Sequence, residues 1–221
     1  MSTHDFDLAD YAEGSEAESE RALRVLRAQI LTGSREPGSK LVERETAVEL
    51  GISRIPIREA IKQLAAEGLV VQQPRMPAVV RQFTSRDVAE LNEVRAVVER
   101  QAFLLAARRW EPEGLQELEA VLNRQAMAAE HGDNVDAQLA SADFHEAVVY
   151  LAGNDLLMEM YGTISSRLRW LMTRRTYSPD VTNEHRKLFD AIAARDLELL
   201  ERLATVHLKW KPEVLEPTED F

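Results

Sequence analysis

The 221-residue chain has no cysteine, which excludes disulfides, thiolate nucleophiles and cysteine-ligated zinc. No apolar run reaches the roughly 18 residues that a membrane-spanning helix requires. The first 20 residues are acidic and do not resemble a secretory signal. No internal repeat or low-complexity tract is present. These absences predict a cytoplasmic globular protein, and its length and apolar content of 45% allow two domains.

Basic residues are outnumbered overall, with 27 Lys and Arg against 38 Asp and Glu, yet they are concentrated in one segment. Residues 21–86 carry 12 basic and six acidic side chains, a net charge of +6. The segments before and after it are acidic, at −7 and −10. A basic segment gives the local positive field that binding to phosphates requires. Solvated faces can give the same asymmetry, so charge alone leaves both interpretations open.

Hydrophobic periodicity divides the chain into two folded parts with an acidic tail at each end. The first part, residues 16–83, shows helical patterns from Ser19 to Gly33, over about 43–50 and after Ser53, then two β-branched runs around PRMP. Three helices followed by a two-stranded β-hairpin predict a winged helix-turn-helix. The tails are predicted to be disordered over 1–15 and loose over 212–221.

The second part, residues 84–211, shows only helical periodicity, and no strand is predicted after residue 83. Glycine and proline breaks separate six helices, at about 85–108, 112–131, 134–152, 155–176, 180–195 and 197–210. An antiparallel helical bundle is the expected architecture. The whole chain is therefore predicted to be mostly α.

The third helix of the first part has two faces. Its apolar stripe is Ile57, Ile61 and Leu64, and Arg54 and Arg58 lie four residues apart on the opposite face. Arginines on the opening turns of a helix can reach base edges or phosphates in a major groove. Ser53 is the expected N-cap. The candidate DNA contacts are Arg44, Ser53, Arg54, Arg58, Lys62 and Arg75. The alternative is a surface helix whose charges pair locally with Glu59 and Glu67.

The run ILTGSREPGSKLVERETAVELGISRIPIREAIKQLAAEGLVV, residues 30–71, closely resembles the DNA-binding domain of GntR-type transcriptional regulators. The matching motifs are I-x-x-G from Ile30, PG-x-x-L-x-E from Pro37, LG-x-SR-x-P-x-RE-A from Leu50 and L-x-x-EGLV from Leu64. The resemblance implies a winged helix-turn-helix whose main DNA contacts are Arg44, Arg54 and Arg58. Pro77 departs from the family at the wing, where a glycine is usual.

Three of the five histidines lie on apolar stripes of three different predicted helices: His145, His185 and His207. A single inward histidine is usually a hydrogen-bonded core residue, whereas three that converge suit a divalent transition metal. The pattern leaves both interpretations open. Arg95 also lies on an apolar stripe, and it can either pair with Glu99 or clamp an anion.

The segments ELNEVRAVVERQAFLLAA, FHEAVVYLAGNDLL and EHRKLFDAIAARD resemble the all-helical FCD effector domain of FadR-like GntR regulators. The resemblance implies that the three histidines hold zinc or nickel and that a small carboxylate effector contacts Arg95, Ser141 and Asn154. The family usually has an aspartate ligand where this chain has Ser141. Asp143 is no substitute, because it points roughly 200° around the helix from that position. A three-histidine site completed by water or effector is still chemically reasonable.

The predicted function is therefore that of a ligand-responsive transcriptional repressor that is not an enzyme. It is expected to bind a pseudo-palindromic operator in double-stranded DNA as a homodimer, with a small organic acid as effector. One rival is a metal-dependent enzyme in which the three histidines activate a water molecule. Another is a regulator whose effector pocket is metal-free or purely structural.

Overall fold

The computed structural model describes residues 17–174 and 177–209, so the two predicted tails lie outside the described residues. The first part of the chain contains three helices and three short strands. In chain order these are α1 (Glu18–Thr32), β1 (Lys40–Leu41), α2 (Glu43–Leu50), α3 (Arg54–Ala66), β2 (Val70–Val71) and β3 (Ala78–Val80). The predicted winged helix-turn-helix is confirmed.

The sheet has one strand more than the sequence predicted. Its order is β1-β3-β2, and β3 is antiparallel to both neighbours, with Leu41 opposite Ala78 and Val70 opposite Val80. The expected hairpin is the pair β2–β3. The prediction missed β1 because two residues are too few to show alternation, and their pairing partner is almost 40 residues away.

The turn between α2 and α3 places α3 against the core. Gly51 ends α2 in the left-handed conformation, at φ +68°, which glycine adopts without the strain of a side chain. The predicted apolar face of α3 is buried, with Ile57 and Leu64 fully enclosed, and it packs on α1. The opposite face is left in solvent. Ser53 occupies the N-cap position, but its side chain makes no capping hydrogen bond, so that part of its prediction is wrong.

The second part is a bundle of six helices within the described residues. They are α4 (Ser85–Arg109), α5 (Pro112–Glu130), α6 (Asn134–Leu151), α7 (Asp155–Thr173), α8 (Pro179–Ala193) and α9 (Leu197–His207). The long helix α4 packs against four of the others, α6, α7, α8 and α9. It begins with a capping box, in which the side chains of Thr84 and Asp87 each accept a hydrogen bond from the other's backbone N–H.

The two parts contact each other through α7. The carboxylate of Glu67, just after α3, accepts hydrogen bonds from Arg27 of α1 and from the hydroxyl of Ser166 on α7. Nε of Arg167 donates to the Glu67 carbonyl at 3.1 Å. Farther along α7, Arg174 donates to the carbonyl of Ile30 at 3.3 Å. Helix α7 is thus tied to the C-terminal ends of both α1 and α3.

Gly68 is required at this contact for two reasons, and Gly68→Ala is expected to destabilise the protein. Its φ of +76° costs an L residue about 1–2 kcal/mol, and a Cβ there would lie 2.3 Å from Nε of Arg167. Displacing Arg167 adds about another 1 kcal/mol. Urea unfolding measures the loss.

Gly132→Ala is the matched control, since Gly132 is also left-handed, at φ +71°, but a Cβ there would meet nothing within 4 Å. Equal losses in the two variants would contradict the packing of Arg167 against Gly68.

Candidate functional sites

Five exposed basic side chains form what we term the arginine surface: Arg44, Arg54, Arg58, Lys62 and Arg75. Arg44 and Arg54 line one depression of about 230 Å³ together with Gln72 and Met76 of the β2–β3 hairpin, so the hairpin lies beside the opening turn of α3. Ser53 is exposed next to Arg54. Lys62 lies two turns farther along α3, where it pairs with Glu59 at 2.9 Å.

The ion-pair partner of the two α3 arginines is Glu43, on the first turn of α2. Its carboxylate accepts from Nε and Nη2 of Arg58, both at 2.9 Å, and from Nη2 of Arg54 at 3.4 Å. The alternative interpretation of the sequence assigned this pairing to Glu59 and Glu67, which instead pair with Lys62 and Arg27. Sequence periodicity missed Glu43 because it lies on another helix.

The wing turn between β2 and β3 contains a left-handed residue that is not glycine. Arg75 has φ +64°, and the N–H of Met76 donates to the carbonyl of Gln73 to close the turn. Pro77, which departs from the family pattern, immediately precedes β3. The turn thus takes its positive φ at Arg75, a conformation that costs such a side chain about 1 kcal/mol.

The second site is a cluster of His145 from α6, His185 from α8 and His207 at the end of α9. Nε2 of His207 lies 3.3 Å from Nε2 of His145 and 3.3 Å from Nε2 of His185. One ring nitrogen of each histidine lies within 4.8 Å of those of the other two. The ring of His185 also stacks on Phe144 at 4.2 Å between centroids. The three histidines therefore converge through the same type of nitrogen.

The opposite nitrogen of each ring faces an oxygen. Nδ1 of His185 donates to Gln125 at 2.8 Å, and Nδ1 of His207 donates to Glu184 at 2.7 Å. Nδ1 of His145 lies 2.9 Å from Oε2 of Glu99. The hydrogen bonds to Gln125 and Glu184 fix the ring orientations of His185 and His207 and favour the tautomer that leaves their Nε2 lone pairs facing each other.

Burial favours the neutral form of His185 and of His207. It lowers the pKa of His185 well below its ordinary value, and it lowers the pKa of His207, although the hydrogen bond to Glu184 opposes that shift. The facing Nε2 lone pairs of His185 and His207, 3.3 Å apart, have no proton to share, so an electron-pair acceptor between them would stabilise the arrangement. Nitrogens bound tetrahedrally to zinc at about 2.0–2.1 Å lie about 3.3–3.4 Å apart. The cluster could therefore hold a metal ion.

Arg95 lies beside the three histidines and pairs with Glu99, which is one of the two alternatives that the sequence left open. Its Nε donates to Glu99 at 2.9 Å, and its Nη2 lies 3.1 Å from Nε2 of His145. Burial raises the pKa of Glu99, and the adjacent Arg95 guanidinium opposes that rise. Both side chains are almost completely enclosed. The Arg95 guanidinium thus donates to the Nε2 lone pair of His145, and this hydrogen bond would have to open for that nitrogen to bind a metal.

A polar cavity of about 290 Å³ opens beside the histidines. Its lining includes Arg95, Gln138, Ser141, His145, Tyr177 and His207. Ser141 therefore lies beside the cluster, and its contact with an effector stays a prediction. Asn154 is not part of this lining: its side chain caps α7 by accepting from the N–H of Leu157 at 3.2 Å. The effector contact expected of Asn154 stays a prediction, and its side chain serves as the N-cap of α7.

Gln125 is a member of the site that sequence reasoning missed. It is fully buried on α5, in the apolar stripe that contains Leu118 and Leu122. An amide on a core-facing stripe needs a hydrogen-bond partner, and this was the available signal. Glu184 was visible beside His185, but no pattern linked it to a histidine 23 residues later.

Comparison with known proteins gives the same division of the chain. Residues 18–80 match the family described as bacterial regulatory proteins of the gntR family, and residues 90–209 match the FCD domain. A probable D-xylose utilization operon transcriptional repressor of Paenarthrobacter nicotinovorans is 30% identical, with 81% of this chain and 80% of that protein covered. The gluconate operon transcriptional repressor of Bacillus licheniformis is also 30% identical, over 79% and 75%.

Solved structures show the same fold. McbR of Escherichia coli superimposes with a TM-score of 0.73 at 23% identity, covering 88% of this chain and 94% of that one. A putative GntR regulator from Rhodococcus gives a TM-score of 0.75 at 23% identity, covering 87% and 94%.

A winged helix-turn-helix joined to an all-helical effector domain defines a class of DNA-binding transcriptional regulators that respond to small molecules. The chain belongs to the GntR family, with an FCD domain, consistent with its FadR-like subfamily. Members of this family regulate transcription, and the enzyme interpretation is wrong. No described helix combines the length and apolarity needed to cross a bilayer.

Proposed function

We propose that the protein is a repressor that binds a pseudo-palindromic operator as a homodimer, under the control of a carboxylate effector and a divalent metal. The DNA-binding domain would span residues 16–83 and the effector domain residues 84–211. A two-fold dimer matches a two-fold operator. Such a protein acts on the chromosome, in the cytoplasm. The convergence of three Nε2 atoms is the observation that carries the effector-site part of this proposal.

His145, His185 and His207 would hold the metal, zinc or nickel. This chain has Ser141 where the family usually supplies a carboxylate, so its proposed ligands are three neutral imidazoles. Bound there, the metal would supply a Lewis acid that attracts an anionic oxygen. Glu99, Gln125 and Glu184 hold the rings from behind, which orients the ligands and raises their basicity.

The effector would be a small hydroxylated carboxylate. The cavity volume of about 290 Å³ is at the lower limit of usual ligand pockets, which favours a small molecule. Arg95 provides a guanidinium for a carboxylate, and Gln138, Ser141 and Tyr177 provide amide and hydroxyl groups. Two relatives are named for D-xylose utilization and for the gluconate operon, and this supports testing sugar acids first.

Helix α7 would carry the signal. Its Met172 lines the effector cavity, and its Ser166, Arg167 and Arg174 contact the DNA-binding part. An effector that binds better to one position of α7 would therefore shift the two DNA-binding domains toward one arrangement.

The function is tested by measuring binding to a duplex selected from a random pool, termed the selected operator below, and to an unselected duplex. Fluorescence anisotropy would be measured between roughly 0.05 and 0.2 M salt. The affinity for both duplexes should fall steeply as salt rises, and the selected operator should bind much more tightly than the unselected duplex. Equal affinity for both duplexes would reject sequence-specific regulation.

A further inference from the structure

The carboxylate of Glu43 lies within the arginine surface. It accepts two hydrogen bonds from Arg58 and a longer one from Arg54, so one acidic side chain on α2 holds both arginines of α3. The hydrogen bond from Arg58 also lowers the pKa of Glu43, so the carboxylate, which is ionised at neutral pH in any case, stays ionised in more acidic solution.

Stability does not account for this arrangement. The side chains of Arg58 and Glu43 are 47% and 30% exposed, and ion pairs this exposed contribute little to folding. An ionised carboxylate on a surface that meets phosphates also repels them, which lowers affinity for any DNA. We therefore expect Glu43 to have an effect on the arginines that compensates for this loss of affinity for DNA.

The geometry of the Arg58 contact suggests that effect. Arginine has five N–H donors, and Glu43 engages the Nε and Nη2 side of the guanidinium. Both N–H groups of Nη1 and the second N–H of Nη2 remain for other acceptors. These outer donors form the edge that binds N7 and O6 of guanine in the major groove. The contact thus fixes the Nε and Nη2 edge of the Arg58 guanidinium and leaves its outer edge available to bind a base.

We infer that Glu43 is a positioning residue, which orients the Arg58 guanidinium for guanine and so increases discrimination between operator and random DNA at the expense of general affinity. The inference rests on the proposed contact between Arg58 and DNA. Without Glu43, the freed guanidinium would reach nearby phosphates of any sequence, and the acidic repulsion would be gone.

The test compares Glu43→Gln and Glu43→Ala with the unchanged protein, using the selected operator and an unselected duplex at constant salt. Both variants are expected to bind the unselected duplex a few-fold more tightly, because one negative charge is lost. Binding to the selected operator should not tighten. The affinity ratio of the two duplexes should therefore fall at least a few-fold, and further to the extent that the guanine contact of Arg58 is weakened.

Glu59→Gln is the matched control. It also removes one negative charge, here from α3, but the ion pair that it breaks is the one with Lys62. It should tighten binding to both duplexes alike and leave the ratio unchanged. A ratio that also stays constant in both Glu43 variants would overturn the inference and leave Glu43 as a simple competitor for the arginines. If the unchanged protein itself failed to distinguish the duplexes, the proposed function would fail instead.

Discussion

Arg58→Ala is expected to weaken binding to the selected operator by about 10- to 100-fold, because a bidentate arginine–guanine contact contributes about 1–3 kcal/mol of discrimination. The side chain of Arg58 is exposed on α3, outside the buried stripe that contains Ile57, so its removal leaves the core intact. Binding to unselected DNA should weaken much less, which separates base contact from general attraction. Anisotropy titrations with both duplexes measure the two effects.

Arg86→Ala is the control for charge in this experiment. Arg86 lies on the first turn of α4, is 87% exposed and pairs only locally, with Glu90 at 2.8 Å. Its loss removes one positive charge outside the arginine surface and should change operator affinity less than about threefold. If Arg86→Ala and Arg58→Ala weakened binding equally, Arg58 would be only one contributor to the local charge.

His185→Ala is expected to lower zinc affinity by more than about 100-fold. Mutation of a residue that only orients a metal ligand already lowers metal affinity by about 10- to 100-fold, and His185 is a proposed ligand itself. His185 is fully buried between Phe144 and Gln125, and its Nε2 faces that of His207. Competition with a chromophoric chelator measures the affinity. Because His185→Ala also leaves a cavity, thermal unfolding should be recorded for the same samples.

Two further variants separate metal binding from folding. His207→Ala removes a ligand from the rim of the cavity, with less damage to the core, and should lose zinc to a similar extent. His131→Ala removes an exposed histidine from the C-terminal end of α5, outside the cluster, and should bind zinc normally. Unchanged affinity in a folded His207→Ala variant would contradict the three-histidine site.

The fold could be predicted largely from the sequence because its elements depend on local signals. The stripe of α3, the left-handed Gly51 and the breaks between the six long helices are all visible in short windows. The strand β1 and the ends of α7 and α9 were harder to predict from the sequence. A two-residue strand depends on pairing with a distant segment, and helix ends vary by a few residues with local packing.

The candidate sites could be predicted only in part. Inward-facing histidines on three helices gave the cluster, but whether they converge depends on how the helices pack, which periodicity does not determine. Gln125 and Glu43 were missed because each acts on a residue of another helix. Asn154 was assigned to the effector through a motif, whereas its side chain satisfies an N–H at the start of α7. Local patterns find candidate side chains, and tertiary packing assigns their partners.

We propose that three imidazoles of one chain form a metal site that lacks a carboxylate ligand, because Ser141 stands where the family usually has an aspartate. Zinc K-edge X-ray absorption tests it most directly, on zinc-titrated protein without a polyhistidine tag. Three imidazole nitrogens are expected at about 2.0–2.1 Å from the zinc, with oxygen from water or effector completing its coordination. Failure to retain zinc, or a spectrum with two or fewer imidazoles, would contradict it and leave the histidines as a hydrogen-bonded core.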